Sequence, residues 1–89
     1  LIGVPNAFSP NGDNTNDIIY VEGVGIINLS FQIYNRWGEL VFESFDQSIG
    51  WDGTYKGILQ EMEVYTYVVK ARFLDNSSQT LNGNITLLR

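Results

Sequence analysis

The chain has 89 residues, which suffices for one domain and is too short for two. A hydrophobic content of 44%, with five Phe, five Tyr and two Trp, predicts a folded core rather than a disordered segment. The formal net charge of −5 argues against binding to nucleic acid or to an anionic membrane surface, because both attract basic patches. The absence of Cys and His excludes disulfides and thiolate chemistry and removes the commonest general base and metal ligand.

The two ends of the sequence suggest how the chain is placed in its parent protein. It begins at Leu1 with neither Met nor a signal peptide, so we expect residues 1–89 to be one domain cut from a longer protein. Arg89 directly follows an apolar stretch, and we expect the natural C-terminus there. No apolar run approaches the roughly 20 residues that span a bilayer, so membrane insertion is not expected.

Hydrophobic residues recur with a period of two, which is typical of β-strands. The predicted strands, in chain order, are residues 3–8, 18–22, 29–33, 39–44, 64–74 and 80–88. No segment has a helical stripe; the best candidate, residues 59–64, is too short for a stable helix. The pattern predicts an all-β fold, an antiparallel β-sandwich of about six to seven strands.

Turn residues separate these strands. Residues 35–38 and 75–78 are predicted to connect hairpins, and residues 52–57 are predicted to form a polar loop outside the core. The alternation also predicts which side chains are largely buried: Phe31, Ile33, Phe42, Tyr67, Val69, Phe73 and Leu87.

The loop after Pro10 presents oxygen-bearing residues at alternate positions. Asn11, Asp13, Thr15 and Asp17 are spaced like the first ligands of a calcium loop, which predicts a calcium site at Asn11, Asp13 and Asp17. An EF-hand is excluded because the sixth position is Asn16 rather than Gly and a strand, not a helix, follows. The alternative is a rigid Asx-turn in which these side chains accept hydrogen bonds from nearby backbone N–H groups.

Four aromatic residues lie in or beside predicted loops: Tyr34, Trp37, Trp51 and Tyr55. An exposed, coplanar set would form a stacking platform for sugars, whereas the commoner role of such side chains is to fill a small core and close its ends. Trp51 stands between Gly50 and Asp52, and we expect its ring to cap the sheets.

Charged side chains near the loops are candidates for a receptor contact, an ion pair or a catalytic pair. Arg36 is either a receptor contact or the ion-pair partner of Glu39 or Asp52. Asp13 and Asp52 are poor candidates for a glycosidase pair, because there is no His and no room for a deep cleft. We therefore predict that the chain is not an enzyme.

Five segments, taken in order, resemble the gliding motility-associated C-terminal domain, which is the type B sorting domain of the type IX secretion system. They are PNAFSPNGDNTND (5–17), IYNRWGELVFES (33–44), GWDGTYKG (50–57), YTYVV (65–69) and GNITLLR (83–89). Each motif is weak alone, but five in order are specific, and the resemblance covers essentially the whole chain. The chain departs from the family at Asn14, where Gly is usual, and at residues 61–63, where Pro and Gly are usual.

The resemblance implies an immunoglobulin-like sandwich at the C-terminus of secreted proteins such as adhesins of gliding Gram-negative bacteria. It implies a sorting signal for export across the outer membrane and anchoring at the cell surface, with an outer-membrane translocon and surface-attachment proteins as partners. We expect a monomer. The structural signature, and the expected recognition residues, are Asn35, Arg36, Trp37, Gly38, Trp51, Asp52 and Gly53. The alternative function is a carbohydrate-binding module of a secreted polysaccharide-degrading enzyme.

Overall fold

The computed structural model describes residues 2–10 and 17–88, and within these ranges the chain forms strands and no helix. The strands are β1 (Ile2–Gly3), β2 (Ala7–Phe8), β3 (Glu22–Gly23), β4 (Ile26–Tyr34), β5 (Leu40–Ser44), β6 (Thr54–Tyr55), β7 (Ile58–Leu59), β8 (Val64–Phe73) and β9 (Ser78–Leu87). The all-β prediction is confirmed. Four strands are five to ten residues long, and the other five have two residues each.

One five-stranded sheet, in the order β2-β9-β8-β4-β5, is the main layer. Strands β8 and β9 form the longest antiparallel ladder, from Val64 opposite Thr86 to Arg72 opposite Ser78, with no register shift. The pairing of β2 with β9 is parallel, which departs from the predicted antiparallel arrangement. It is possible because these strands are distant in sequence, so no tight turn dictates their relative direction.

The second layer is less regular and closes over one face of the main sheet. It contains the two-stranded β1-β3 sheet and an isolated bridge in which Ile19 and Trp51 exchange backbone hydrogen bonds of 2.9 Å. The ring of Trp51 lies against the rings of Phe8 and Tyr65, which belong to the main sheet. The core therefore lies between two layers, and the sandwich prediction is confirmed.

The predicted register of the central strands is correct. Along β8 the side chains of Tyr65, Tyr67, Val69 and Ala71 are buried, whereas their neighbours face outward. Five of the seven side chains predicted to be buried are so; Phe42 and Phe73 are only half-buried. Phe42 lies on the edge strand β5 and Phe73 is the last residue of β8, so each lacks neighbours on one side.

The loop-rich parts differ from the predicted pattern. Residues 3–8 form two short strands, because Pro5 cannot donate to a ladder. Residues 18–22 reduce to the Ile19 bridge and the first residue of β3. The segment predicted as a loop contains β6, which pairs with β7 just beyond that segment in a small hairpin whose turn residues Lys56 and Gly57 have φ of 54° and 80°. Both positive values match a type I′ turn. The two strands that it joins have two residues each, which is too short for a two-residue alternation of apolar and polar side chains to be recognised in the sequence.

Candidate recognition site

The hairpin between β4 and β5, residues 35–39, has a turn organised by Asn35. The Oδ1 atom of Asn35 accepts hydrogen bonds from the backbone N–H of Trp37 at 2.9 Å and of Glu39 at 3.0 Å. The carbonyl of Asn35 accepts a third from Gly38 N–H at 3.0 Å. Gly38 has a φ of 80°, which a residue with a Cβ adopts only at a cost. The predicted hairpin is confirmed, and its conformation depends on Asn35 and Gly38.

Arg36 pairs with acids that the sequence did not indicate. Its Nε lies 3.7 Å from Glu63 Oε2 and its Nη2 lies 4.0 Å from Glu61 Oε2. The backbone N–H of Arg36 also donates to Glu63 Oε1 at 3.3 Å. The expected partners, Glu39 and Asp52, form neither pair. The reason is topological: antiparallel pairing of β4 with β8 sets the end of β4 beside the start of β8.

The two tryptophans occupy opposite environments. The Trp37 side chain is 79% exposed, so the core role that is common for such aromatics does not apply to it. The guanidinium of Arg36 lies over the Trp37 ring, 5.1 Å from its centroid. Trp51 is 1% exposed, its ring centroid is 4.9 Å from that of Tyr65, and its Nε1–H donates to the carbonyl of Thr54 at 2.8 Å. Trp51 lies inside the core and is not a cap at its edge.

The residues after Trp51 form a tight turn. The Oδ1 of Asp52 accepts hydrogen bonds from the backbone N–H and the hydroxyl of Thr54, at 3.1 and 2.7 Å. Gly53 is buried with a φ of 85°, and its carbonyl accepts from the N–H of Gln60 at 2.8 Å. This segment therefore positions Trp51 in the core. Asp52 serves the turn and does not face Arg36.

The two signature segments, residues 35–38 and 51–53, both contact residues 60–65, which are the connector before β8 and the first two residues of that strand. Glu63 contacts Arg36 of the hairpin tip, Gln60 contacts Gly53, and the Tyr65 ring contacts that of Trp51. The Tyr65 hydroxyl donates to the Glu61 carbonyl four residues upstream at 2.7 Å, which closes the connector as a tyrosine corner does in immunoglobulin-like sandwiches. This hydrogen bond spans residues 61–63, where the chain departs from the family pattern.

Glu63 contacts the hairpin tip, and the sequence alone did not identify it. Its side chain is only 13% exposed, although Glu usually lies in solvent, and it contacts Arg36. The usable signal was the position of Glu63 just before the longest predicted strand, residues 64–74, because antiparallel pairing of that strand with β4 places Glu63 at the same sheet end as the 35–38 turn.

The predicted calcium ligands mostly fall outside the part of the chain that the structure describes. Asn11, Asp13 and Thr15 are not described, and Asp17 is half-buried. Among residues 2–10 and 17–88 no three acidic side chains come together as metal ligands do. The calcium site remains a prediction.

The outer edge of β9 is paired with β2 over only part of its length. The N–H groups of Thr86 and Leu88 donate to Asn6 and Phe8 next to or within β2, both at 2.9 Å. Since the backbone groups that face one edge alternate along a strand, those of Ser78, Thr80, Asn82 and Asn84 point to the same edge as those of Thr86, and β2 pairs with only the last two residues of β9 on that edge. Residues 76–88 carry no charge and no Pro, the usual protection of an exposed edge. Edges without such protection are where β-strand addition takes place in other proteins.

The aromatic platform considered from sequence does not form in the described structure. Trp51 is buried, Tyr34 and Tyr55 are half-buried, and Trp37 stands at the hairpin tip. The ring pairs that do form involve core residues, not these four together. None of the described residues belongs to a helix able to cross a membrane.

A family model, CHU_C, described as the Type IX secretion signal domain, matches residues 2–87. No curated protein matches the chain. The matched range begins at Ile2, the first residue of β1, and ends at Leu87, the last residue of β9, so it includes every strand of the described fold.

Proposed function

The chain belongs to the CHU_C type IX secretion signal domain family, and we propose that it sorts the protein that carries it across the outer membrane to the cell surface. Recognition is by protein–protein contacts with the translocon, and delivery ends on a surface-attachment protein. The domain performs no chemical turnover.

The match over all the described strands is the observation that carries this proposal. A signal of this extent is a folded surface rather than a short linear peptide. The geometry supports that reading, because Trp51 and Gly53 are buried and can act only through the fold, whereas the hairpin tip and the β9 edge are accessible. The machinery then selects a folded domain by its shape.

A reporter assay tests the proposal. Residues 1–89 are fused to the C-terminus of a periplasmic reporter, and surface display is measured in cells with and without the type IX translocon. We expect display only when the translocon is present. Equal display without it would overturn the sorting function.

A truncation tests whether the signal must be folded. Removing residues 83–89 deletes Ile85 and Leu87, both fully buried, and each loss costs about 2–5 kcal/mol. The combined loss is comparable to the whole free energy of unfolding of a small domain, so we expect the domain to unfold and surface display to be lost. Circular dichroism of the isolated truncated domain checks that it is unfolded. Full display of a reporter that carries this unfolded domain would mean that the machinery reads a linear sequence instead.

Sugar binding stays a second candidate because Trp37 is exposed. A sugar stacked on its indole would change Trp fluorescence, and Trp37→Ala would abolish the change. Titration of the isolated domain with soluble polysaccharides distinguishes the candidates, since a sorting domain shows no such response.

A further inference from the structure

Trp37 is the bulkiest side chain that the described structure leaves largely in solvent, with 79% of it exposed. Burying a Trp removes a large apolar area from water, so leaving one exposed forgoes that gain. The ring does not contribute to the core. The guanidinium of Arg36 lies over it, but the Arg36 side chain is itself at the surface and 58% exposed. Nothing in the described fold requires Trp at this position.

The hairpin tip holds the backbone of Trp37 in a defined turn conformation. Asn35 accepts three hydrogen bonds from the turn backbone, and Gly38 supplies the left-handed conformation that the turn needs. Arg36 is attached to Glu63 and lies over the indole ring. A loop whose backbone is already ordered loses less conformational entropy on binding, which favours its use as an interface anchor.

The charge around the tip identifies the complementary chemistry. Glu39 is exposed, Glu61 has a side chain that is 82% exposed, and Glu63 faces Arg36. Three carboxylates against the one guanidinium of Arg36 give the hairpin tip and its neighbours an excess of two negative charges. A partner surface that accommodates them carries Lys or Arg.

We propose that Trp37 is the anchor of the recognition surface and inserts into an apolar pocket, rimmed by basic side chains, on a protein of the secretion or attachment machinery. The inference rests on the proposed sorting function and deepens it by assigning the contact to the hairpin tip. The buried signature residues then serve to hold the connector that supports this tip.

The test is surface display of the reporter in cells with the intact translocon, for Trp37→Ala and a matched control. Phe45→Ala is the control, because Phe45 is an aromatic residue that is 69% exposed and follows the opposite end of β5. We expect Trp37→Ala to lower display by about tenfold or more, as loss of an interface hot spot does. Phe45→Ala should leave display within about twofold of the parent.

A second pair of variants tests the basic rim. Glu39→Gln keeps an oxygen that can accept the hydrogen bond from Asn35 but removes the charge, and combining it with Glu61→Gln removes both exposed carboxylates. The double variant should lower display severalfold. Unchanged display would show that the pocket has no basic rim and would overturn that part of the proposal.

Two control measurements on the isolated parent and variant domains test whether Trp37→Ala alters folding or self-association. Trp37→Ala should keep the circular dichroism spectrum and melting temperature of the parent, so that lost display reports lost recognition. Normal display of folded Trp37→Ala would overturn the inference, while translocon-dependent display of the parent would still support the sorting function. A parent dimer that Trp37→Ala converts to a monomer would show that a second copy covers the indole, and would also overturn it.

Discussion

Replacing Trp51 by Ala tests whether the signature segment acts through the core. The side chain is 1% exposed and contacts the rings of Phe8 and Tyr65, with centroid distances of 5.4 and 4.9 Å. Its Nε1–H donates to the Thr54 carbonyl at 2.8 Å, and its backbone is bonded to that of Ile19. The substitution therefore removes the largest fully buried side chain that joins the two layers.

The expected loss is large compared with the stability of the domain. Truncation of a buried Trp to Ala costs about 3–5 kcal/mol, which includes the cavity left behind. For 89 residues, at about 0.05–0.15 kcal/mol each, the whole free energy of unfolding is about 4–13 kcal/mol. Trp51→Ala should thus remove between a quarter and all of it. Trp51→Phe keeps one ring but loses the hydrogen bond to Thr54 and leaves a smaller cavity, so it should cost more than about 1 kcal/mol but less than Trp51→Ala.

Urea unfolding followed by circular dichroism measures these losses. Trp37→Ala is the matched control, since the same atoms are removed from a side chain that is 79% exposed, and its stability should stay within about 0.5 kcal/mol of the parent. A loss below about 1 kcal/mol for Trp51→Ala, or equal losses for the two variants, would contradict the assignment of Trp51 to the core.

Gly50→Ala should destabilise the domain by about 1–3 kcal/mol or more, because its Cβ would lie 2.4 Å from the backbone oxygen of Ile19; Gly3→Ala, which meets no atom within 4 Å, should be nearly neutral in the same urea titration. The hydrogen bonds from the Ser77 hydroxyl and N–H lower the pKa of Asp75 below its ordinary value. Their stabilisation is complete above the ordinary pKa of Asp, about 4, and is lost as pH falls through the lowered value; NMR titration should show the pKa rising in Ser77→Ala. If the predicted calcium site exists, millimolar calcium should raise the melting temperature of the parent but not of Asp13→Ala, and identical melting curves with and without calcium would favour the Asx-turn.

Local chemistry was sufficient to predict much of the hairpin tip. Asn, then two residues, then Gly between two alternating runs predicts a turn, and the turn is present at Asn35 to Gly38. The partner of Arg36 could not be predicted in this way. Glu39 is close in sequence, whereas Glu63 is 27 residues away and becomes a neighbour only through the pairing of β4 with β8. Sequence proximity is a poor guide where a strand ladder decides which residues meet.

The sequence by itself determined the strands with a clear two-residue period, the inward faces of β4, β8 and β9, and the membership of the chain in its family. These follow from local patterns, because alternation of apolar and polar side chains specifies a face without reference to other strands. Only the tertiary structure decided the environments of Trp37 and Trp51. Both stand beside Gly in polar turns, but Trp51 pairs with Ile19 of the second layer and is enclosed, while Trp37 lies at a hairpin tip beyond the end of the sheet. Burial depends on what the rest of the chain places over a residue, and that is a property of the assembled layers.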